Sequence, residues 1–318
     1  MRAAETYSKI KSNMEKSIAG KGECIDLVIC ALISGGHILI EDVPGTGKTM
    51  IARALAMSID GAFKRIQFTP DLLPSDVVGI NFFDMKSSEF RFMAGPVFSN
   101  ILLADEINRA TPKTQAGLLE CMEERTATVD GTTYLLPDPF MVIATQNPVE
   151  SMGTYPLPEA QLDRFMMKIS VGYPDFDSSV DILRRYGQSK SIKGDGAVVG
   201  IEDVRRAIAE TAQVYCCDDL FEYITAITQA TRREKGVVLG ASPRAALSLL
   251  AVSKAIAVIS GRNYVLPDDI KRAASPVLCH RLIMTGSEML KHDSQGAVIS
   301  KILSEIPVPT ESVFDGRR

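Results

Sequence analysis

Read from the N-terminus, Thr6 to Lys16 is polar with a weak helical pattern, and Glu23 to Ile33 is an apolar helix that ends at Gly35-Gly36. Ile38-Leu39-Ile40 is then a short apolar run that gives way to a turn holding Pro44, Gly45 and Gly47. After the turn Met50, Ile51, Ala54, Leu55 and Ile59 recur at helical spacing, so the order is strand, glycine loop, helix. Lys64 to Phe68 alternates as a second strand, ended by Thr69-Pro70-Asp71, and Leu73-Pro74-Ser75-Asp76 reads as a cap and short helix. Ile80 to about Pro96 alternates on either side of Lys86-Ser87-Ser88-Glu89, the pattern of an inserted hairpin. Its Phe82, Phe83, Phe90 and Phe92 are expected to pack the insertion onto its domain, with a surface-active role as the alternative. Ile101 to Ala104 and Phe140 to Ala144 are buried strands, and Met167 to Val171 is the last one. Between them Thr111 caps a helix with Pro112 at its first position, and Arg125 to Leu136 forms a hairpin about Asp130-Gly131. After Tyr173-Pro174 the strands are expected to stop. Helices follow over Asp175 to Tyr186, Ile201 to Gln213, Asp219 to Arg232, Ser242 to Ile259 and Asp268 to about Ile283, with a polar loop at Gln188 to Gly196.

This order gives an α/β fold followed by an all-α part, divided at 1–173 and 174–318. A length of 318 residues favours two domains over one core, and 46% hydrophobic with 23% charged residues is ordinary for a globular chain. The net charge of −4 and a pI near 5.6 argue against general affinity for nucleic acid or a membrane surface. Leu27 to Ile40, the nearest thing to a membrane span, is too short and carries Ser34, Gly35, Gly36 and His37. Met1 to Gly20 is polar and holds no secretory signal. The six cysteines have no metal-ligand spacing, which points to reduced thiols in the cytoplasm. His37, His280 and His292 are scattered and form no ligand set.

Two stretches carry chemistry. In the loop, Gly45 and Gly47 let backbone N–H groups curl around an anion, and the new helix aims its positive end at the same point. Lys48 would reach the β- and γ-phosphates of a nucleotide and the Thr49 hydroxyl would ligand Mg²⁺. The candidate contacts are Asp42, Pro44, Gly45, Thr46, Gly47, Lys48, Thr49 and Met50; Asp42 departs from the strict phosphate-loop pattern, which has glycine there. An ordinary strand-to-helix turn with a surface lysine is the plain alternative. The second stretch is Asp105-Glu106, two carboxylates at the carboxyl end of a buried strand. Asp105 would hold Mg²⁺ through water, and Glu106 would polarise the water that attacks the γ-phosphate of ATP or GTP. An amide at the tip of the next strand, in Thr145-Gln146-Asn147-Pro148, can hold that water beside Glu106; a cap before Pro148 is the alternative for Asn147. Arg164 stands next to Asp163, which allows a local ion pair, and Ser242-Pro243-Arg244 places a cation at a helix start, where a phosphate partner would favour it.

Glu41-Asp-Val-Pro-Gly-Thr-Gly-Lys-Thr49, Asp105-Glu-Ile-Asn-Arg-Ala110, Ala144-Thr-Gln-Asn-Pro148, Leu157-Pro-Glu-Ala-Gln-Leu-Asp-Arg-Phe165 and Ser242-Pro-Arg-Ala245 together resemble the AAA+ ATPases, and within them the MoxR family, over nearly the whole chain. Asp42 is usual in that family. The resemblance implies a parallel five-stranded αβα core, a helical lid, ATP at their junction and a hexameric ring. It implies sensor roles for Asn147 and Arg244, an arginine finger acting on a neighbour's ATP for Arg164, a helix-2 insert at about 80–96 and a pre-sensor hairpin at about 125–136. It further implies chaperone-like remodelling of, or metal insertion into, client complexes, often beside von Willebrand factor A proteins. Asn108 and Arg109 match the family without a stated role. A nucleic-acid motor or loader is the alternative function. The acidic pI and the lack of a Lys/Arg cluster in either hairpin count against it. A scaffold that binds ATP without hydrolysing it is disfavoured by Asp105, Glu106 and Arg164.

Overall fold

The computed structural model describes residues 2–148, 153–187, 196–286 and 294–309. Ile38–Glu41, Phe63–Gln67, Ile101–Asp105, Met141–Gln146 and Met167–Ile169 form one parallel sheet. Across the sheet the order is fifth, first, fourth, third, second in sequence. The first strand lies between the last and the fourth, with Ile38 opposite both Met167 and Ile143. The central strands read as unbroken apolar runs because both faces are covered. Ile38, Ile40, Leu103 and Ile143 join one buried cluster, while Leu39, Leu102, Val142 and Ala144 join another on the opposite face.

The first cluster does not stop at the sheet. It takes in Ile10 and Met14 from helix Arg2–Ser17 and Ile25, Val28, Ile29 and Leu32 from helix Gly22–Ile33. It continues into Val204, Leu249, Val252, Ile256, Ile270 and Val277 of the C-terminal helices Ile201–Ala212, Pro243–Ile259 and Pro267–Leu278. Apolar packing therefore joins the sheet to the helical lid.

Several expectations need correction. Strands do not end at Tyr173: Val199–Gly200 runs parallel to Ile59–Asp60, and Val237–Leu239 pairs antiparallel with Ile283–Met284. These pairs are two or three residues long, too short for alternation to mark them. The helix expected to run from Asp268 to Ile283 ends at Leu278 in a 3₁₀ turn, Cys279–Arg281. Thr111 does precede a helix at Pro112–Glu124, but its hydroxyl meets the Thr114 hydroxyl at 3.2 Å rather than a backbone N–H. Both hairpins form, Gly79–Asp84 with Glu89–Ala94 and Thr126–Val129 with Thr132–Leu135. Of the insertion's phenylalanines, however, Phe82, Phe83 and Phe90 are exposed, and only Phe92 packs inward, stacked on Tyr134 at 4.1 Å. The Gln188 to Gly196 loop lies outside the described residues up to 195.

Candidate functional site

The strand Ile38–Glu41 ends at the carboxyl edge of the sheet, and helix Lys48–Met57 starts after the six residues 42–47. Gly45 and Gly47 sit at φ +85° and +93°, a region open to glycine and strained for other residues. A Cβ built on either meets nothing within 4 Å, so the hollow of the loop is open. Gly47 gives the helix no side-chain cap, which leaves the first-turn N–H groups to an anion. The Lys48 ammonium donates to the main-chain carbonyl of Gln146 at 3.2 Å and to that of Asp42. Burial lowers its pKa, while Asp42, Asp105, Glu106 and Glu41 pull the other way.

Asp42 is turned elsewhere. Its carboxylate accepts from its neighbour's N–H on Val43 (2.8 Å), from the Gly172 N–H (2.6 Å) and from the Ser170 hydroxyl (3.1 Å). Lys21, which the sequence did not single out, donates to the carbonyls of Val171, Gly172 and Tyr173 at 2.8, 2.9 and 2.8 Å. Gly172, in a left-handed conformation, is thus held at both its N–H and its C=O. The aspartate that departs from the glycine pattern ties the loop to the chain leaving the last sheet strand.

Asp105 ends, and Glu106 follows, the strand Ile101–Asp105, which is separated from the loop-bearing strand by Met141–Gln146. The Thr49 hydroxyl donates to Asp105 Oδ2 at 3.4 Å, and Thr145 Oγ1 donates to Oδ1 at 2.6 Å. Arg65 forks onto the same Oδ2 at 2.7 and 3.2 Å. Glu106 has φ +56°, a costly conformation for a glutamate, and its N–H is caught by Thr145 Oγ1 at 2.9 Å. Its carboxylate accepts from Gln67 Nε2 at 2.7 Å and pairs with Arg109 at 3.3 Å. Neither Arg65 nor Gln67 was read from the sequence. The available signal was two polar residues at alternate positions of one strand, and the register that sets Gln67 opposite Asp105 gives it meaning. Asn147 is buried, and its carbonyl accepts from Asn108 Nδ2 at 3.4 Å.

Beside Glu41 opens a cavity of about 510 Å³, lined by Gly20 to Cys24, Lys168 to Val171, and Ser275, Pro276 and Cys279 of the lid. Such a volume suits a nucleoside. Thr49 and Asp105 supply the oxygen donors a hard divalent cation takes, and the open glycine loop with Lys48 suits a polyphosphate. The residues present fit both groups.

Arg164 and Arg244 are elsewhere. Arg164 precedes the strand Met167–Ile169, so it lies at the amino edge of a parallel sheet whose carboxyl edge carries the loop. It donates to the Leu119 carbonyl at 2.7 Å and pairs with Glu123 at 3.1 Å. Arg244 reaches the same Glu123. The local Asp163–Arg164 pair is replaced by Asp163–Arg281 at 2.6 Å, with the Ser242 hydroxyl donating to Asp163 at 3.0 Å. Ser242 also caps its helix, accepting from the Ala245 N–H at 3.1 Å.

The model of the ATPase family associated with various cellular activities (AAA) matches residues 37–167, and that of the AAA lid domain matches 229–302. Chaperone MoxR1 of Mycobacterium tuberculosis is 38% identical over 96% of this chain and 84% of its own. This chain belongs to the MoxR family of AAA+ ATPases. An uncharacterized Bacillus subtilis protein, YeaC, is 46% identical over 95% of each chain. The crystal structure of a candidate ATPase from Cytophaga hutchinsonii superposes with a TM-score of 0.89 at 40% identity, over 97% of this chain and 96% of its own. The fold is therefore that of an AAA domain followed by a helical lid, and the family implies nucleotide binding and ATP hydrolysis. Among the described residues no helix is long and apolar enough to cross a membrane, and no group of three or more His, Cys, Asp or Glu side chains suits a metal ion.

Proposed function

We propose that the chain is a Mg²⁺-dependent ATPase that works as a hexameric ring in the cytoplasm and remodels client complexes or matures them by metal insertion. The domains divide at 1–173 and 174–318, and a partner with a von Willebrand factor A domain is the expected client. The observation that carries the shared-site reading is the separation of cations. Lys48 is at the carboxyl edge of the sheet beside Thr49 and Asp105, whereas Arg164 and Arg244 are together at the amino edge, on Glu123. In a ring, one copy's amino edge can face its neighbour's loop.

This geometry supports the following residue roles. Lys48 and the N–H groups of the loop bind and orient the phosphates; Thr49 and Asp105 hold the Mg²⁺, Asp105 through water. When bound, Mg²⁺ neutralises charge on the phosphate oxygens. Glu106 takes the proton of the attacking water, and Asn147 helps hold that water in line. Arg164 and Arg244 stabilise charge on the neighbour's transferring group, a contribution of ~10³–10⁵ in rate for an arginine finger.

Phosphate release measured against protein concentration tests the reading. Wild type should turn over faster as it assembles. Glu106→Gln should bind ATP and hold it unhydrolysed. Arg164→Ala should keep its affinity for ATP and lose the assembly-dependent rate; a wild-type rate in that variant under assembling conditions removes the shared site.

A further inference from the structure

Two cations from different parts of the chain end on one carboxylate that the sequence did not mark. Glu123 lies in the last turn of helix Pro112–Glu124. Its Oε2 takes Arg164 at 3.1 Å and its Oε1 takes Arg244, so each oxygen holds one guanidinium. Arg164 has a second anchor on the same helix, the Leu119 carbonyl at 2.7 Å. The helix end is itself fixed. Arg125, in a left-handed conformation, donates to the Gly35 carbonyl at 2.6 Å and to that of Phe140, at the amino ends of two central strands. All three side chains reach the surface, at 32% exposure for Glu123, 31% for Arg164 and 45% for Arg244. A guanidinium has five N–H donors, and the contacts named take two from Arg164 and one from Arg244. The remaining donors make no further hydrogen bond among the described residues and can meet an anion outside the chain.

Two guanidiniums repel, and each long side chain loses rotamer freedom when it is fixed. A single carboxylate between them offsets both costs before any nucleotide arrives. We propose that Glu123 is a positioning residue: it clamps Arg164 of the sheet domain and Arg244 of the lid into one paired cationic face for a neighbouring copy's triphosphate. The proposal rests on the shared-site reading above. It also makes the core and lid act as one body at that face, because the two arginines come from either side of the junction. The other role such a carboxylate can have is a restraint that withholds the arginines until a neighbour docks, and the same experiment separates the two.

The experiment is steady-state ATP hydrolysis across protein concentration for wild type, Glu123→Ala, Glu123→Asp, Arg164→Ala, Arg244→Ala and the Glu123→Ala/Arg244→Ala pair. A misplaced catalytic group costs up to about 10²-fold. Glu123→Ala should lower the plateau kcat by about tenfold or more and leave KM for ATP within about twofold. Arg244→Ala should cost much less in the Glu123→Ala background than in wild type, since two parts of one unit are not additive. Glu123→Asp keeps the charge on a shorter arm and should restore part of the rate. An unchanged plateau, additive losses, or a faster rate at low protein concentration overturns the clamp, the last in favour of a restraint. If Arg164→Ala loses the assembled rate and Glu123→Ala keeps it, the clamp alone fails. If Arg164→Ala keeps it, the shared site fails and the clamp with it. Should Glu123→Ala melt early, the isosteric Glu123→Gln takes its place under the same criteria.

Discussion

His37 is a residue whose chemistry is set first by burial. Its Nδ1 accepts from the Val142 N–H at 2.9 Å and its Nε2 donates to the Met122 carbonyl at 3.0 Å, which fixes one neutral tautomer. Burial first, and the nearby Arg125 charge second, lower its pKa from 6.5 to about 3. His280, buried beside Arg281, is lowered well below the ordinary value for the same two reasons. In both, the folded pKa is below the unfolded one, so the unfolded chain binds the extra proton. The stability each contributes is complete above pH 6.5 and is lost as pH falls below it, for His37 over the range down to about 3. His37 can subtract up to about 1.4 kcal/mol per pH unit in that window, and His280 acts in the same direction. Urea unfolding at pH 7 and pH 5.5 should show the drop, shallower in His37→Gln; a flat stability over that interval contradicts it. At this scale the legible residues were those whose meaning is local. Lys48 and Thr49 follow from one loop and Asp105-Glu106 from one strand end. Arg65, Gln67, Lys21 and Glu123 gain their roles only from strand order or from a helix end, which no window of sequence holds.

Elements were more legible than their docking. Alternation marked both hairpins and the tip of each, yet a period of two says only which residues share a face. Phe82 and Phe83 are neighbours and point to opposite faces, so no count of aromatics could tell which side packs. The face with Asn81 and Phe92 meets the second hairpin: Asn81 Nδ2 donates to Asp130 at 3.0 Å, and Phe92 lies nearly parallel to Tyr134, 10° apart, with Phe98 edge-on at 5.4 Å. The insertion and the second hairpin thereby form one aromatic unit. Phe92→Ala should cost about 1–2 kcal/mol through lost ring area and stacking. Met85→Ser, at the exposed tip of the same hairpin, should stay within about 0.5 kcal/mol. Denaturant midpoints of the two variants check this, and equal losses would mean that the stack does not fix the insertion.

For the whole molecule the question is what makes sheet and lid one body. The proposed division at residue 173 rests on the main sheet giving way to helices, but the buried cluster runs across it, and a polar knot does the same on the opposite side from the loop. Arg281 comes from the 3₁₀ turn of the lid with its side chain 2% exposed. It donates to Asp163 Oδ1 at 2.6 Å, to the Phe165 carbonyl at 2.8 Å and to the Met166 carbonyl at 3.2 Å, all just ahead of the last sheet strand. Ser242, the cap of the helix that carries Arg244, shares Asp163. Burial lowers the Arg281 pKa and Asp163 opposes that, so the guanidinium depends on this carboxylate more than a surface pair would. Removing one partner of such a pair leaves a buried charge uncompensated, at a cost of about 3–5 kcal/mol, whereas replacing both by apolar groups of similar volume is often close to neutral. Asp163→Ala should therefore destabilise the protein by about that amount, and Asp163→Leu/Arg281→Met should recover much of the loss. The recovered stability would come without the link between Ser242 and Asp163, so the double variant should also loosen the register between Arg244 and Arg164. Thermal melts and assembly-dependent hydrolysis measured on the same two variants separate these effects. Stability that returns together with the full hydrolysis rate would show that Asp163 serves folding only.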